Sequence, residues 1–336
     1  MSDILLSVRN LSVDYNTRLG VLDAVDNVSF DIKRGEVLGL VGESGCGKST
    51  LGKALLRMIP EPGSITDGEL IFFGGQDTWF EGTDLMLLND DQMRQVRGKY
   101  ISMIFQDPMT SLNPVQKIVD HLTETVRTHE PRVSEKAARA RAEELVDRLG
   151  IRRERIDDYP HQLSGGMRQR VMIALALSLR AQLVIADEAT TSLDVIVEAQ
   201  FLDLLQELCD EFGLTILLIT HNIGIVAQLA TRVAVMYAGR LAELGEVHKV
   251  FASPMNPYAE GLLNAVPNIK LFDDELYQMP GAPPDLLDPP PGCRFHPRCP
   301  HIMKICTVET PEFKAYGKEH MAACWLHEKQ LEKGKS

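Results

Sequence analysis

Along residues 5–13 and 25–32, apolar and polar positions alternate with the period of a half-buried strand, with Asp, Asn and Gly breaks between the runs. They predict an antiparallel β layer. Residues 37–41 are continuously apolar, as in a strand buried on both faces, and lead into a Gly-rich loop and a helical pattern over 49–58. Further strands are predicted at 67–73 and 100–105. From about residue 113 to 159 the period becomes helical, and Ala138, Ala142, Leu145, Val146 and Leu149 share one face of the stretch 135–149. Helices at 166–179 and 195–212 then alternate with strands at 183–186, 214–220 and 233–237, which implies a mainly parallel sheet covered on both faces. Cys209 and Phe212 fall on the apolar face of the second helix with Phe201, Leu205 and Leu208, so core packing is expected of them. Beyond Phe251, Pro254, Pro257, Pro267 and the Pro-rich run 280–291 mark a linker. The last 44 residues hold four cysteines and little periodicity. No internal repeat of about 20–50 residues is present, which excludes solenoids and propellers.

A chain of 336 residues exceeds one average domain, so a main domain over 1–255 and a smaller extension over 256–336 are expected, with a helical subdomain at about 107–165. Hydrophobic residues at 44% and charged residues at 24% are ordinary globular values and exclude a disordered or fibrous chain. A net charge of -12 argues against nucleic acid as a partner, because phosphate neutralisation needs clustered Lys and Arg. Apolar runs such as 214–219 fall far short of the roughly 20 residues that span a bilayer. The N-terminus has Asp3 where a signal peptide carries positive charge, and a cytoplasmic chain is expected. Its six cysteines should then stay reduced, which leaves the C-terminal four in need of another role.

The stretch GESGCGKS at 42–49 fits G-x-x-x-x-G-K-[ST]. Alone it could be a glycine-rich turn; its position between an apolar strand and a helix selects phosphate binding. Gly42, Ser44, Gly45, Cys46 and Gly47 belong to the wrapping loop, whose backbone N–H groups face phosphate oxygens at a helix N-terminus. Lys48 reaches the β and γ phosphates of ATP, Ser49 ligates Mg²⁺, and Thr50 assists through its amide. Cys46 occupies a variable position of the motif, where a small filler suffices. The apolar run 183–186 ends in Asp187 and Glu188. With a phosphate loop upstream, Asp187 is the carboxylate expected to hold Mg²⁺ and Glu188 the general base for an attacking water.

About 20 residues before that pair, LSGGM at 163–167 resembles the signature motif of the ABC ATPase family. Ser164, Gly165 and Gly166 open a helix whose N-terminus suits an anion. The resemblance implies that the phosphate they meet belongs to an ATP held by an opposing subunit. Position by position, Gln106 resembles the Q-loop glutamine that senses Mg²⁺ and the attacking water, Asp194 the D-loop aspartate, His221 the switch histidine on the γ phosphate, and Tyr15 the aromatic on adenine. Ala189 departs from the family pattern, which has proline after the catalytic Glu; no chemical group is lost, so hydrolysis is expected to survive. The fold implied is α/β: a P-loop NTPase (RecA-like) core with an antiparallel β layer, a helical subdomain and a small Cys-rich C-terminal extension.

Within that family, QDPMTSLNP at 106–114, NPY at 256–258 and the Cys-rich tail resemble the importer ATPases of the oligopeptide, dipeptide and nickel group. Cys293, Cys299, Cys306 and Cys324 are spaced x5, x6 and x17, and four thiols in so short a cytoplasmic segment suggest metal. Spacing leaves zinc, an iron–sulfur cluster and unliganded thiols open. The resemblance implies a [4Fe–4S] cluster on these four residues, acting as a staple for a segment too short to bury a core. It further implies a second homologous ATPase, in a heterodimer or homodimer, two transmembrane permease subunits and an extracytoplasmic substrate-binding protein. Such a chain works peripherally on the cytoplasmic face of the inner membrane, powering import of di- or oligopeptides, with nickel and oligosaccharides carried by relatives. The rival is a soluble ABC ATPase uncoupled from transport.

Overall fold

A computed structural model describes residues 3–74, 79–106, 111–190, 195–265, 279–317 and 319–327. In chain order the strands are β1 (Ile4–Thr17), β2 (Gly20–Lys33), β3 (Val37–Val41), β4 (Gly63–Phe72), β5 (Thr83–Asp84), β6 (Ile101–Ile104), β7 (Leu183–Asp187), β8 (Thr215–Ile219), β9 (Arg232–Tyr237), β10 (Arg240–Glu246), β11 (Lys314–Gly317) and β12 (His320–Ala322). The α-helices are α1 (Lys48–Leu55), α2 (Asp90–Val96), α3 (Ile118–His129), α4 (Glu135–Arg148), α5 (Gly165–Leu177), α6 (Val195–Phe212), α7 (Ile223–Leu229), α8 (Val247–Ala252) and α9 (Pro257–Asn264). Two compact units divide the chain: the first is Met1–Leu6, Ile32–Gly35 and Phe72–Leu217, the second Ser7–Asp31, Glu36–Ile71 and Leu218–Ser336.

In the first unit β6 and β7 pair in parallel, Ile101 opposite Leu183 and Ile104 opposite Ala186. Every residue of both strands is buried, as continuous apolar runs covered on both faces require. Helices α3, α4 and α5 pack on one another. The period seen in the sequence sets the α4 contact: Ala138, Ala142 and Val146, four apart, are its buried residues. Ser134 caps α4 by accepting from the Ala137 N–H at 3.3 Å. On α6, Phe201, Leu205 and Leu208 are buried and Cys209 is half-buried, as the apolar face predicted.

In the second unit β2, β1 and β4 lie in that order, with β1 and β2 joined as a hairpin. The parallel pair β3–β9 is extended by antiparallel β10, β12 and β11. Both tail strands escaped the sequence pattern. The β11 residues alternate only between half-buried and exposed, so no apolar signal marks them. β12 becomes a strand because β10 offers a free edge, with Glu243 opposite Ala322 and Leu244 opposite Met321, and β11 then pairs antiparallel with β12. A core of Val226, Val233, Val235, Tyr237, Val250, Tyr258 and Phe295 joins strands, C-terminal helices and tail. No helix among the described residues is long and apolar enough to cross a membrane.

Candidate nucleotide site

The loop 42–49 lies in the second unit between β3 and α1. Glycine is required at 47, the cap of α1: its φ is 103°, and a Cβ there would fall 2.2 Å from the Ala24 carbonyl oxygen. Lys48 is buried, and its Nζ donates to the carbonyls of Gly42 at 2.9 Å and Glu43 at 3.0 Å, folding the ammonium back over the loop. Ser44 and Gly45 are exposed at the tip, while Ser49 and Thr50 are half-buried in the first turn of α1. Cys46 is buried filler, as its variable position suggested; burial raises its thiol pKa, against the pull of Lys48. The Gly239 N–H, in the turn from β9 to β10, donates to the Cys46 carbonyl at 2.9 Å. Tyr15, at the end of β1, is half-buried against Gly63, where a Cβ would come within 2.5 Å of the ring. His221 is exposed just beyond β8.

The first unit gathers the acidic candidates. Asp187 ends β7 and is buried. Glu188 follows in the left-handed region at φ 46°, and Gln106, exposed just beyond β6, donates through Nε2 to its Oε2 at 3.0 Å. The next residue, Ala189, is buried, and its carbonyl accepts from Gln169 Nε2 at 2.5 Å. Ser164 caps α5, accepting from the Met167 N–H at 3.3 Å, and Ser164 and Gly165 are exposed with Gly166 half-buried. An exposed serine–glycine helix N-terminus is open to an anion from outside. Asp194 and residues 107–110 of the stretch after Gln106 lie outside the described residues.

The four tail cysteines all belong to the second unit, with Cys306 buried and the other three half-buried. Burial raises the Cys293 thiol, the neighbouring Cys306 and Cys299 raise it further, and the amides of Phe295 and His296 oppose the shift. Cys299 is likewise raised by burial and eased by the His301 amide. Cys324 is pushed up to about 12 by burial, with Cys293, Cys299 and Cys306 adding to the cost of its charge and the Leu326 amide relieving it. Burial thus favours the neutral thiol at Cys293, Cys299 and Cys324, while neighbouring backbone N–H groups favour the thiolate. Among the described residues no group of three or more His, Cys, Asp or Glu side chains has the arrangement of a metal site.

The motifs singled out no partner for Glu43, yet its carboxylate takes both arms of Arg298, at 2.7 and 2.9 Å. Its N–H donates to the Tyr258 hydroxyl at 2.8 Å. No periodicity signals a pairing of residues so distant in sequence.

A phosphate loop, a strand ending in Asp-Glu and an LSGG helix cap define an ABC-type ATPase, and comparison with known proteins agrees. The family described as ABC transporter matches residues 25–191, and the family described as oligopeptide/dipeptide transporter, C-terminal region, matches residues 242–306. The chain is 44% identical over 330 residues to the dipeptide transport ATP-binding protein DppD of Bacillus subtilis, covering 97% of this chain and 96% of that one. It is 43% identical over 332 residues to the oligopeptide transport ATP-binding protein OppD of Salmonella typhimurium, covering 98% and 96%. Among solved structures, the dimeric ABC transporter cassette MJ0796 superposes with a TM-score of 0.63 at 26% identity, over 72% of this chain and 99% of that one. The chain belongs to the ATP-binding subunits of the oligopeptide/dipeptide ABC transporter family, and it is an ATPase of the ABC type.

Proposed function

We propose that this chain is one of two ATPase subunits that power an importer of di- and oligopeptides, working peripherally on the cytoplasmic face of the membrane. The observation that carries this is the likeness to peptide-transport ATPases along nearly the whole chain, tail included, rather than in the cassette alone. A soluble ABC ATPase uncoupled from transport has no such support. We read residues 1–255 as the cassette and 256–336 as its extension.

In this proposal Gly42, Ser44, Gly45, Cys46, Gly47, Lys48, Ser49 and Thr50 wrap the ATP phosphates and Tyr15 stacks on adenine. Lys48 exchanges the Gly42 and Glu43 carbonyls for phosphate oxygens, a short swing of a side chain already held over the loop. Ser49, Gln106 and Asp187 would hold Mg²⁺, which when bound supplies charge neutralisation on the phosphates. Glu188 takes the proton of the attacking water; its hydrogen bond to Gln106 fits a base oriented by its neighbour. His221 contacts the γ phosphate and Asp194 crosses to the partner. Ser164, Gly165 and Gly166 serve the ATP of a second, homologous cassette, so each site is completed only in a dimer. A cassette relative is itself dimeric with ADP and Pi bound. Two permease subunits and an extracytoplasmic binding protein complete the machine.

In this proposal Cys293, Cys299, Cys306 and Cys324 would hold a [4Fe–4S] cluster, on the family resemblance alone, since their spacing leaves zinc open.

The test is to co-express the chain with its candidate permease and ATPase partners and assay the purified assembly. It should contain two membrane proteins and hydrolyse ATP. Glu188→Gln should keep ATP binding and lower turnover by about 10²–10⁴-fold. Undiminished hydrolysis by that variant would remove Glu188 as base, and a chain that never co-purifies with a permease would remove the transport role.

A further inference from the structure

The phosphate loop carries a carboxylate of its own. Glu43 is the second residue of the motif, a position the nucleotide chemistry leaves open, and an anion there adds negative charge to a loop that takes ATP phosphates. Its neutralising partner comes from 255 residues away in sequence. Arg298, within the Cys-rich segment, forks onto both Glu43 oxygens at 2.7 and 2.9 Å, and its side chain is 5% exposed against 25% for Glu43. Two of its remaining donors are fixed as well: Nε bonds the Pro280 carbonyl at 2.8 Å, and one terminal nitrogen also reaches the Tyr237 hydroxyl at 3.3 Å. The guanidinium lies 5.8 Å from the Tyr237 ring centre and 5.9 Å from that of Phe295. Those rings pack with the fully buried Tyr258, whose hydroxyl accepts from the Glu43 N–H at 2.8 Å. Glu43 is therefore held at its amide, its carboxylate and, through Lys48, its carbonyl. A second arginine of the same segment, Arg294, binds Asp26 and the Ala238 carbonyl, next to the Gly239 amide that holds Cys46.

We propose that Arg298 is a positioning residue for nucleotide binding: the Cys-rich segment reaches back to cancel the Glu43 charge and fix the entrance of the phosphate loop. This rests on the reading of residues 42–49 as the ATP phosphate loop. A bidentate guanidinium suits the task, since a planar fork holds a carboxylate in place where a point charge would not. Removing Arg298 leaves a carboxylate without its cation in the loop that takes phosphate. Neutralising Glu43 in the same chain removes the repulsion, a reversal that lost packing alone would not produce.

The full chain is titrated with a fluorescent ATP analogue and Mg²⁺, and each variant is melted to confirm folding. Arg298→Ala should raise Kd about tenfold, equal to about 1.4 kcal/mol. Adding Glu43→Gln to that variant should return Kd to within about threefold of the parent. Unchanged affinity in Arg298→Ala, or a loss that Glu43→Gln leaves in place, overturns the proposal. Lys48→Ala serves as the control: abolished binding upholds the phosphate loop independently of Arg298, and retained binding overturns both. If Arg298→Ala fails to fold, Arg298→Gln takes its place: the same loss of about tenfold and the same return on adding Glu43→Gln are expected, and unchanged affinity or an unrescued loss overturns the proposal.

Discussion

Replacing Glu243 by alanine should be among the most damaging single changes outside the nucleotide loop. Glu243 lies on β10 with no exposed surface. Its carboxylate accepts from the Met255 N–H at 2.9 and 3.0 Å, the Asn256 N–H at 2.8 Å and His320 Nε2 at 2.7 Å. Alanine orphans two backbone amides and a ring nitrogen in a largely buried place, at about 1–3 kcal/mol each. Relief of the carboxylate's own desolvation offsets part of that sum, leaving about 3–5 kcal/mol, the range for breaking one side of a buried charged contact. For a chain of 336 residues that is a fall of roughly 4–7 °C in Tm. Glu243→Gln keeps one acceptor and should lose about half as much. The damage should concentrate in the tail, because Glu243 pairs with Ala322 across the strands and the neighbouring Ala323 amide donates to the Ala242 carbonyl at 2.9 Å. Thermal unfolding followed by circular dichroism gives the energy, and limited proteolysis reports release of residues beyond 310. A loss under about 1 kcal/mol, or a tail that stays protected, would refute the account.

Two further outcomes are expected. Protein purified without oxygen should be brown, and Cys299→Ser should lose the visible absorption; a colourless, zinc-loaded parent excludes the cluster. Burial, with Lys99 adding to it, holds the His129 pKa below 6.5, so the unfolded chain takes up that proton first as pH falls. This contribution to stability is present above pH 6.5 and lost as pH drops toward the folded pKa. The parent should therefore lose more Tm than His129→Gln between about pH 7.5 and pH 5, and equal losses would remove His129 from the acid response.

The elements that the sequence announced are those whose signal is local. Buried parallel strands such as Val37–Val41 and Leu183–Asp187 read as unbroken apolar runs because both faces are covered. The helix Glu135–Arg148 shows its period because one face alone packs. The strand at Lys314–Gly317 has neither signal and exists because β12, itself paired on the edge of β10, leaves an edge to pair with.

The nucleotide chemistry was legible for a related reason. Phosphate binding needs several consecutive amides, a lysine and a hydroxyl at fixed offsets, and so does its companion in LSGGM, a cap and two glycines opening one helix. Such chemistry is written contiguously, and a single sequence carries it. What supports that loop is written elsewhere. Arg298 and Tyr258 look like an ordinary arginine and a helix tyrosine until folding sets one on the Glu43 carboxylate and the other on the Glu43 amide. Glu243 has the same history, a strand glutamate that only the packing of Met255, Asn256 and His320 turns into a buried acceptor. Hydrogen bonds between residues far apart in sequence leave no period and no spacing behind. The sequence by itself determined the ATPase, and the tertiary structure decided what holds its phosphate loop in place.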